Sequence, residues 1–108
     1  MSDRYVLGLD FGTLSVRAAV INTADGSTLG EKVSEYATPV MDRTLVTTGD
    51  PLPADFALQV PGDYLVSMTE AVRGALADSG VDPSAVVGIG LDCTSATVVL
   101  TDEAGVPM

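Results

Sequence analysis

The 108 residues carry five basic and fifteen acidic side chains, a formal net charge of −10, which argues against a nucleic-acid backbone or an anionic membrane surface as partner. A hydrophobic content of 46% suits one compact domain and excludes a disordered chain. With no histidine and the single cysteine Cys93, the chain cannot build an internal disulfide, the common zinc and non-haem iron sites or a Ser-His-Asp triad, so any metal is expected to be a hard ion held by oxygen.

Taken in chain order, residues 5–10, 16–21 and 29–36 are rich in Val, Ile, Leu and Tyr and predict three strands. Phe11-Gly12-Thr13 separates the first two. Residues 22–27, with the Asp25-Gly26 pair, separate the second and third, so an antiparallel meander is expected. Residues 38–61 hold four of the six prolines (Pro39, Pro51, Pro53 and Pro61) and no sustained period. They read as a long surface loop, which in a compact domain is usually functional. Leu65, Met68, Val72 and Leu76, with Ala71 and Ala75 beside them, recur at steps of three and four and predict a helix over 63–79. Asp63 is expected to cap its start and Gly80 its end. Asp82-Pro83 opens one more short turn, and residues 86–91 and 97–101 read as strands, the second followed by a turn at 102–105. The predicted order is β-β-β-α-β-β, an α/β mixed sheet covered by at least one helix, with no internal repeat. No apolar run approaches the roughly 20 residues of a membrane span, and Ser2-Asp3-Arg4 opens the chain without a signal-peptide pattern, so the expected location is the cytoplasm.

Chemistry concentrates in Asp10-Phe11-Gly12-Thr13-Leu14-Ser15-Val16-Arg17. Gly12 lets the backbone approach a ligand, the Thr13 and Ser15 hydroxyls and nearby N–H groups can donate to phosphoryl oxygens, and Arg17 can add a charge-assisted bond. Asp10, at the carboxyl end of the first strand, suits a Mg²⁺ standing between it and the phosphates, usually through water. The same residues could also form a plain hairpin turn, with Asp10 capping backbone and Arg17 solvated. A Walker loop is excluded, because the chain has no Gly-x-x-x-x-Gly-Lys and a strand, not a helix, follows the turn.

The Asp10, Gly12-Thr13, Ser15, Arg17 pattern resembles the first phosphate motif of the FGGY carbohydrate kinase family, within the sugar kinase, heat-shock protein 70 and actin superfamily. Ala57-Leu58-Gln59-Val60-Pro61, followed by Asp63-Tyr64, is similar to the segment entering the first helix in the L-ribulokinase branch of that family. Gly88-Ile89-Gly90-Leu91-Asp92-Cys93-Thr94-Ser95 is similar to the family segment that meets the sugar. The resemblance implies a ribonuclease H-like fold duplicated in two lobes with ATP in the cleft, of which residues 1–108 would be an incomplete N-terminal lobe, residues 38–61 a long loop insertion, and the second lobe absent. It implies ATP and Mg²⁺ as cofactors, Asp10 as the metal-linked carboxylate, and Gly12, Thr13, Ser15 and Arg17 as nucleotide contacts. Asp92, Thr94, Ser95 and Ala96 would contact the sugar, L-ribulose or a related ketose. Without the resemblance, Asp92-Cys93-Thr94-Ser95 is a capped strand end, and Cys93 reads as a small buried hydrophobe. The implied reaction is ATP-dependent phosphorylation of L-ribulose at its terminal hydroxyl, a step in L-arabinose breakdown, with the base aspartate beyond Met108, the chain alone inactive, and the full-length protein a possible homodimer. The alternative within the superfamily is an actin-like or heat-shock-protein-like ATPase, or a non-catalytic binding module.

Overall fold

A computed structural model describes residues 3–108. Strands β1 (Tyr5–Phe11), β2 (Ser15–Asn22) and β3 (Thr28–Glu35) are followed by helix α1 (Pro61–Ser79), a short 3₁₀ turn (Pro83–Ala85) and strand β4 (Val86–Cys93). The sheet order is β3-β2-β1-β4. The first three strands form the expected antiparallel meander, and β4 returns through α1 to lie parallel to β1. Among the described residues no helix is long and apolar enough to cross a membrane.

Alternation along the strands sends one set of side chains toward the helix. Leu7 and Leu9 of β1 and Val16, Ala18 and Val20 of β2 are buried, the last three completely. At about 1.5–3 kcal/mol per fully buried Val or Leu side chain, these few positions dominate the apolar stabilisation. Between β2 and β3, Gly26 takes φ 75° and the Asn22 and Asp25 carboxamide and carboxylate oxygens accept backbone N–H groups of Ala24 and Ser27 at 2.9 Å. That local satisfaction makes the Asp25-Gly26 signal a tight hairpin.

The helix differs from its prediction in two respects. It starts at Pro61, whose missing N–H costs nothing at that position, and Val60 precedes it without a side-chain cap. Asp63 does not cap the helix. Its carboxylate accepts the Thr38 N–H at 2.9 Å and so ties the start of the long loop to the first helical turn. The buried seam is Ser67, Ala71 and Ala75, with Met68, Val72 and Leu76 only partly covered and Leu65 65% exposed. The reason is distance. A Cβ on Gly30 of β3 would collide with the Ser79 nitrogen and lie 2.7 Å from the Ala75 carbonyl oxygen, so strand and helix backbones touch, and only small residues fit between them. The C-terminal end follows the prediction: Gly80 has φ 68° and its N–H donates to the Leu76 carbonyl at 3.1 Å.

This close seat also covers one edge of the sheet. The Asp78 carboxylate accepts the Glu31 N–H at 3.1 Å, and the Ser67 hydroxyl donates to the Glu35 carbonyl at 3.2 Å. Exposed backbone groups of edge strand β3 thereby find partners on α1. The opposite edge, β4, has no such cover among the described residues.

Residues 38–60 contain no helix or extended strand. They fold back on themselves through isolated bridges between Met41 and Leu58 and between Thr44 and Pro51. The strand predicted at 97–101 does not form. Thr101 alone bridges, to Pro107, around a turn fixed by the Asp102 carboxylate, which accepts the Ala104 and Val106 N–H groups. A lone hairpin of this length gains too few ladder bonds and too little burial to extend.

Candidate functional site

Residues predicted as two separate groups meet at one end of the sheet. In register, Arg17 of β2, Asp10 of β1 and Asp92 of β4 lie side by side across three strands. Directly paired residues share a face, with neighbouring strands about 4.7–4.9 Å apart. Asp10 therefore sits between a guanidinium and a second carboxylate, and all three side chains are exposed. Gly8 and Gly90, with no side chain, and Ala19, with only a methyl, help to leave a shallow hollow of about 370 Å³ beside them.

The pairing has a sequence signature that strand-by-strand reading misses. Leu7-Gly8-Leu9-Asp10-Phe11 and Ile89-Gly90-Leu91-Asp92-Cys93 echo one another and align residue for residue. Laying one segment against the other is enough to set Asp92 beside Asp10.

The turn from β1 to β2 is closed by the Gly12 N–H donating to the Ser15 carbonyl at 2.8 Å. A Cβ at Gly12 would come within 3.3 Å of that same oxygen, so glycine is needed for the closeness of the turn. The Leu14 carbonyl accepts the Tyr36 N–H at 2.9 Å. The N–H groups of Thr13 and Leu14 have no protein acceptor among the described residues. Two free N–H groups, two hydroxyls and an arginine next to an exposed carboxylate match the donor set that a Mg²⁺-bound phosphate requires, so the residues fit the group.

Past β4, the Thr94 N–H donates to the Phe11 carbonyl at 3.1 Å, which stitches the second segment directly to the end of β1. The Asp92 carboxylate accepts the Cys93 N–H at 3.0 Å, and the Thr94 and Thr97 hydroxyls lie 3.1 Å apart. Ala96 has φ 61°, the left-handed region, where a Cβ costs about 1 kcal/mol or more. Thr94, Ser95, Ala96 and Thr97, together with Thr13, Gln59 and Tyr64, border a cavity of about 380 Å³. Cys93 is exposed and not the buried hydrophobe its residue type suggests, because it ends an edge strand with nothing described on its outer side.

Three further residues brace the turn: Gln59 and Tyr64, from the segment 57–64 that the sequence singles out without assigning them a contact, and Tyr36, which follows β3. The Tyr36 hydroxyl donates to the Gly12 carbonyl at 2.9 Å, the Gln59 side-chain amide to the Thr13 carbonyl at 2.6 Å, and the Tyr64 hydroxyl to Gln59 Oε1 at 2.5 Å. Burial pushes both phenols above their ordinary pKa, and at Tyr36 the neighbouring Tyr64 and Asp10 add to the effect, so both remain donors at neutral pH.

No known family model matches the chain. It is 44% identical to a ribulokinase of Mycolicibacterium smegmatis across 97% of its own length, and 39% identical to one of Halalkalibacterium halodurans across all of it. Its backbone matches the solved structure of a xyloylose kinase from Brucella ovis with a TM-score of 0.75 and 26% identity over 94% of the chain. In each case the chain spans 19% of the other protein's length.

Proposed function

We propose, from a homology to ribulokinases that runs the length of this chain, that residues 1–108 are the N-terminal part of an ATP-dependent carbohydrate kinase acting on L-ribulose or a related ketose. The carrying observation is the row Arg17, Asp10, Asp92, which joins the phosphate turn to the segment 92–96 at one end of the sheet.

Phosphoryl transfer to a sugar hydroxyl needs in-line positioning, neutralisation of phosphate charge and a base for the hydroxyl proton. Gly12, Thr13 and Ser15 would receive phosphate oxygens, with Arg17 adding positive charge. Asp10 would hold Mg²⁺, through water, and the ion when bound would neutralise and gather the phosphate oxygens. Thr94, Ser95 and Ala96, on the cavity of about 380 Å³, and Asp92, on the hollow beside Asp10, would meet the sugar, whose hydroxyls are recognised by hydrogen bonds. The base would come from chain beyond Met108, and the 108 residues alone would not turn over.

The bare side of β4 supports a larger lobe. Ile89 and Leu91 are 64% and 71% exposed, a poor environment for apolar strand residues unless more protein covers them. The test is ADP release by the natural full-length product with Mg·ATP and a panel of ketopentoses and polyols. Release stimulated by L-ribulose supports the proposal. Release independent of any sugar would favour an assembly or chaperone ATPase.

A further inference from the structure

Gln59 stands at the boundary between the two halves of the site. Its amide nitrogen donates to the Thr13 carbonyl in the phosphate turn, and its Oε1 accepts the Tyr64 hydroxyl from α1. A carbonyl oxygen only accepts, so the amide's orientation is fixed by Thr13: the NH₂ must face the turn and the oxygen must face Tyr64. Tyr64 in turn packs edge to face on Tyr36, with ring centroids 5.3 Å apart and planes at 66°, and Tyr36 donates to the Gly12 carbonyl. Both carbonyls of the Gly12-Thr13 turn are thus held by one connected set of side chains. Gln59 also borders the 380 Å³ cavity shared with Thr94, Ser95 and Ala96. After its two bonds, its amide retains one N–H and one lone pair for a hydroxyl-bearing ligand.

We infer that Gln59 is a positioning residue that couples occupancy of this cavity to the geometry of the phosphate turn, an inference that rests on the sugar kinase reading. A ligand hydroxyl that engages the free N–H fixes the amide plane. The fixed plane steadies the Thr13 carbonyl and the two free N–H groups of the turn. Sugar bound in the cavity therefore tightens phosphate binding at the turn, and by linkage Mg·ATP tightens sugar binding by the same factor. Tyr64 acts in series, because it holds the amide that holds the turn.

The full-length protein tests this with Gln59→Leu, Gln59→Glu, Tyr64→Phe and the Gln59→Leu/Tyr64→Phe pair. The first readout is the dissociation constant of a non-hydrolysable Mg·ATP analogue with and without saturating L-ribulose. The second is hydrogen exchange at the Gly12 and Tyr36 amides, which close the turn. In the unmodified protein sugar should tighten the analogue by about 5-fold or more. Gln59→Leu should bring that ratio close to one and speed exchange at both amides. Gln59→Glu should do the same, since a carboxylate can accept from Tyr64 but cannot donate to Thr13. Tyr64→Phe should lose part of the coupling, and the pair should lose no more than Gln59→Leu alone. Retained coupling and unchanged exchange in Gln59→Leu, or additive losses in the pair, would overturn the inference, as would a protein that binds both ligands without coupling. If the unmodified protein binds no sugar, the kinase reading fails. Exchange in Gln59→Leu then still decides whether Gln59 holds the turn.

Discussion

Asp10 is exposed at the end of β1, between Arg17 and Asp92, and among the described residues no hydrogen bond to its carboxylate forms. Asp10→Ala is therefore expected to lower kinase turnover of the full-length protein by on the order of 10²-fold or more while the melting temperature stays within a few degrees, the pattern for a group that meets charge in the reaction. Unchanged turnover, or an unfolded variant, would make its role structural. Gly12→Val should weaken Mg·ATP binding, because a Cβ 3.3 Å from the Ser15 carbonyl already crowds the turn and a branched side chain crowds it further. Analogue binding by calorimetry checks it, and wild-type affinity would count against the phosphate turn. These residues are legible in the sequence because Gly, Thr, Ser, Asp and Arg state their chemistry locally. The contacts of Gln59, Tyr36 and Tyr64 are not, although Gln59 and Tyr64 stand in the quoted segment 57–64, because those contacts span 46, 24 and 5 residues of sequence respectively. Their sequence surroundings, a proline-rich loop, a strand end and a helix start, carry no period that aims them at Gly12 or Thr13.

At the scale of elements, hydrophobic periodicity locates β1, β2, β3, α1 and β4 to within two residues at each end. What it misses is the depth of burial on α1. Apolar spacing marks a face but not the separation between helix and strand, and here Gly30 sets that separation. Gly30→Ala is expected to cost about 1–3 kcal/mol, since its Cβ would meet backbone atoms of Ser79 and Ala75 that cannot swing aside. Chemical denaturation would measure it, and a neutral result would mean the helix seat is looser than described. The 97–101 segment shows the opposite error. Alternation and β-branched residues favour extension, but without a neighbouring strand the preference has nothing to pair with. A further expectation concerns pH. Asp82 accepts the Ser84 N–H and hydroxyl at 2.9 Å, and these bonds, the backbone one foremost, hold its pKa below the ordinary 3.8. The folded state thus binds this proton less readily than the unfolded one, so the contribution is present above pH 3.8 and fades as pH falls below it. Asp82→Ala should lower stability slightly at neutral pH and flatten the acid side of the profile, leaving the slope of the neutral-to-alkaline limb unchanged, which urea denaturation across pH would check.

For the molecule as a whole, the radius of gyration is 16.8 Å, against about 13 Å for a compact domain of this length. The accessible surface of 7440 Å² likewise exceeds the roughly 5,600 Å² that its mass of 11.0 kDa predicts for a compact monomer. Composition suggests a self-sufficient domain, and the structure shows where that apolar content goes: Val87, Ile89, Leu91, Val98 and Leu100 lie exposed along or beyond β4. A bare sheet edge, in a chain that spans 19% of its relatives, accords with the proposal that these residues are part of a larger lobe. The most direct test is sugar-dependent ADP release by the natural full-length product, with the Asp10→Ala variant in parallel. The account predicts release that requires L-ribulose or a close ketose and collapses in the variant. Sugar-independent release, or sugar-dependent release that survives Asp10→Ala, would contradict it.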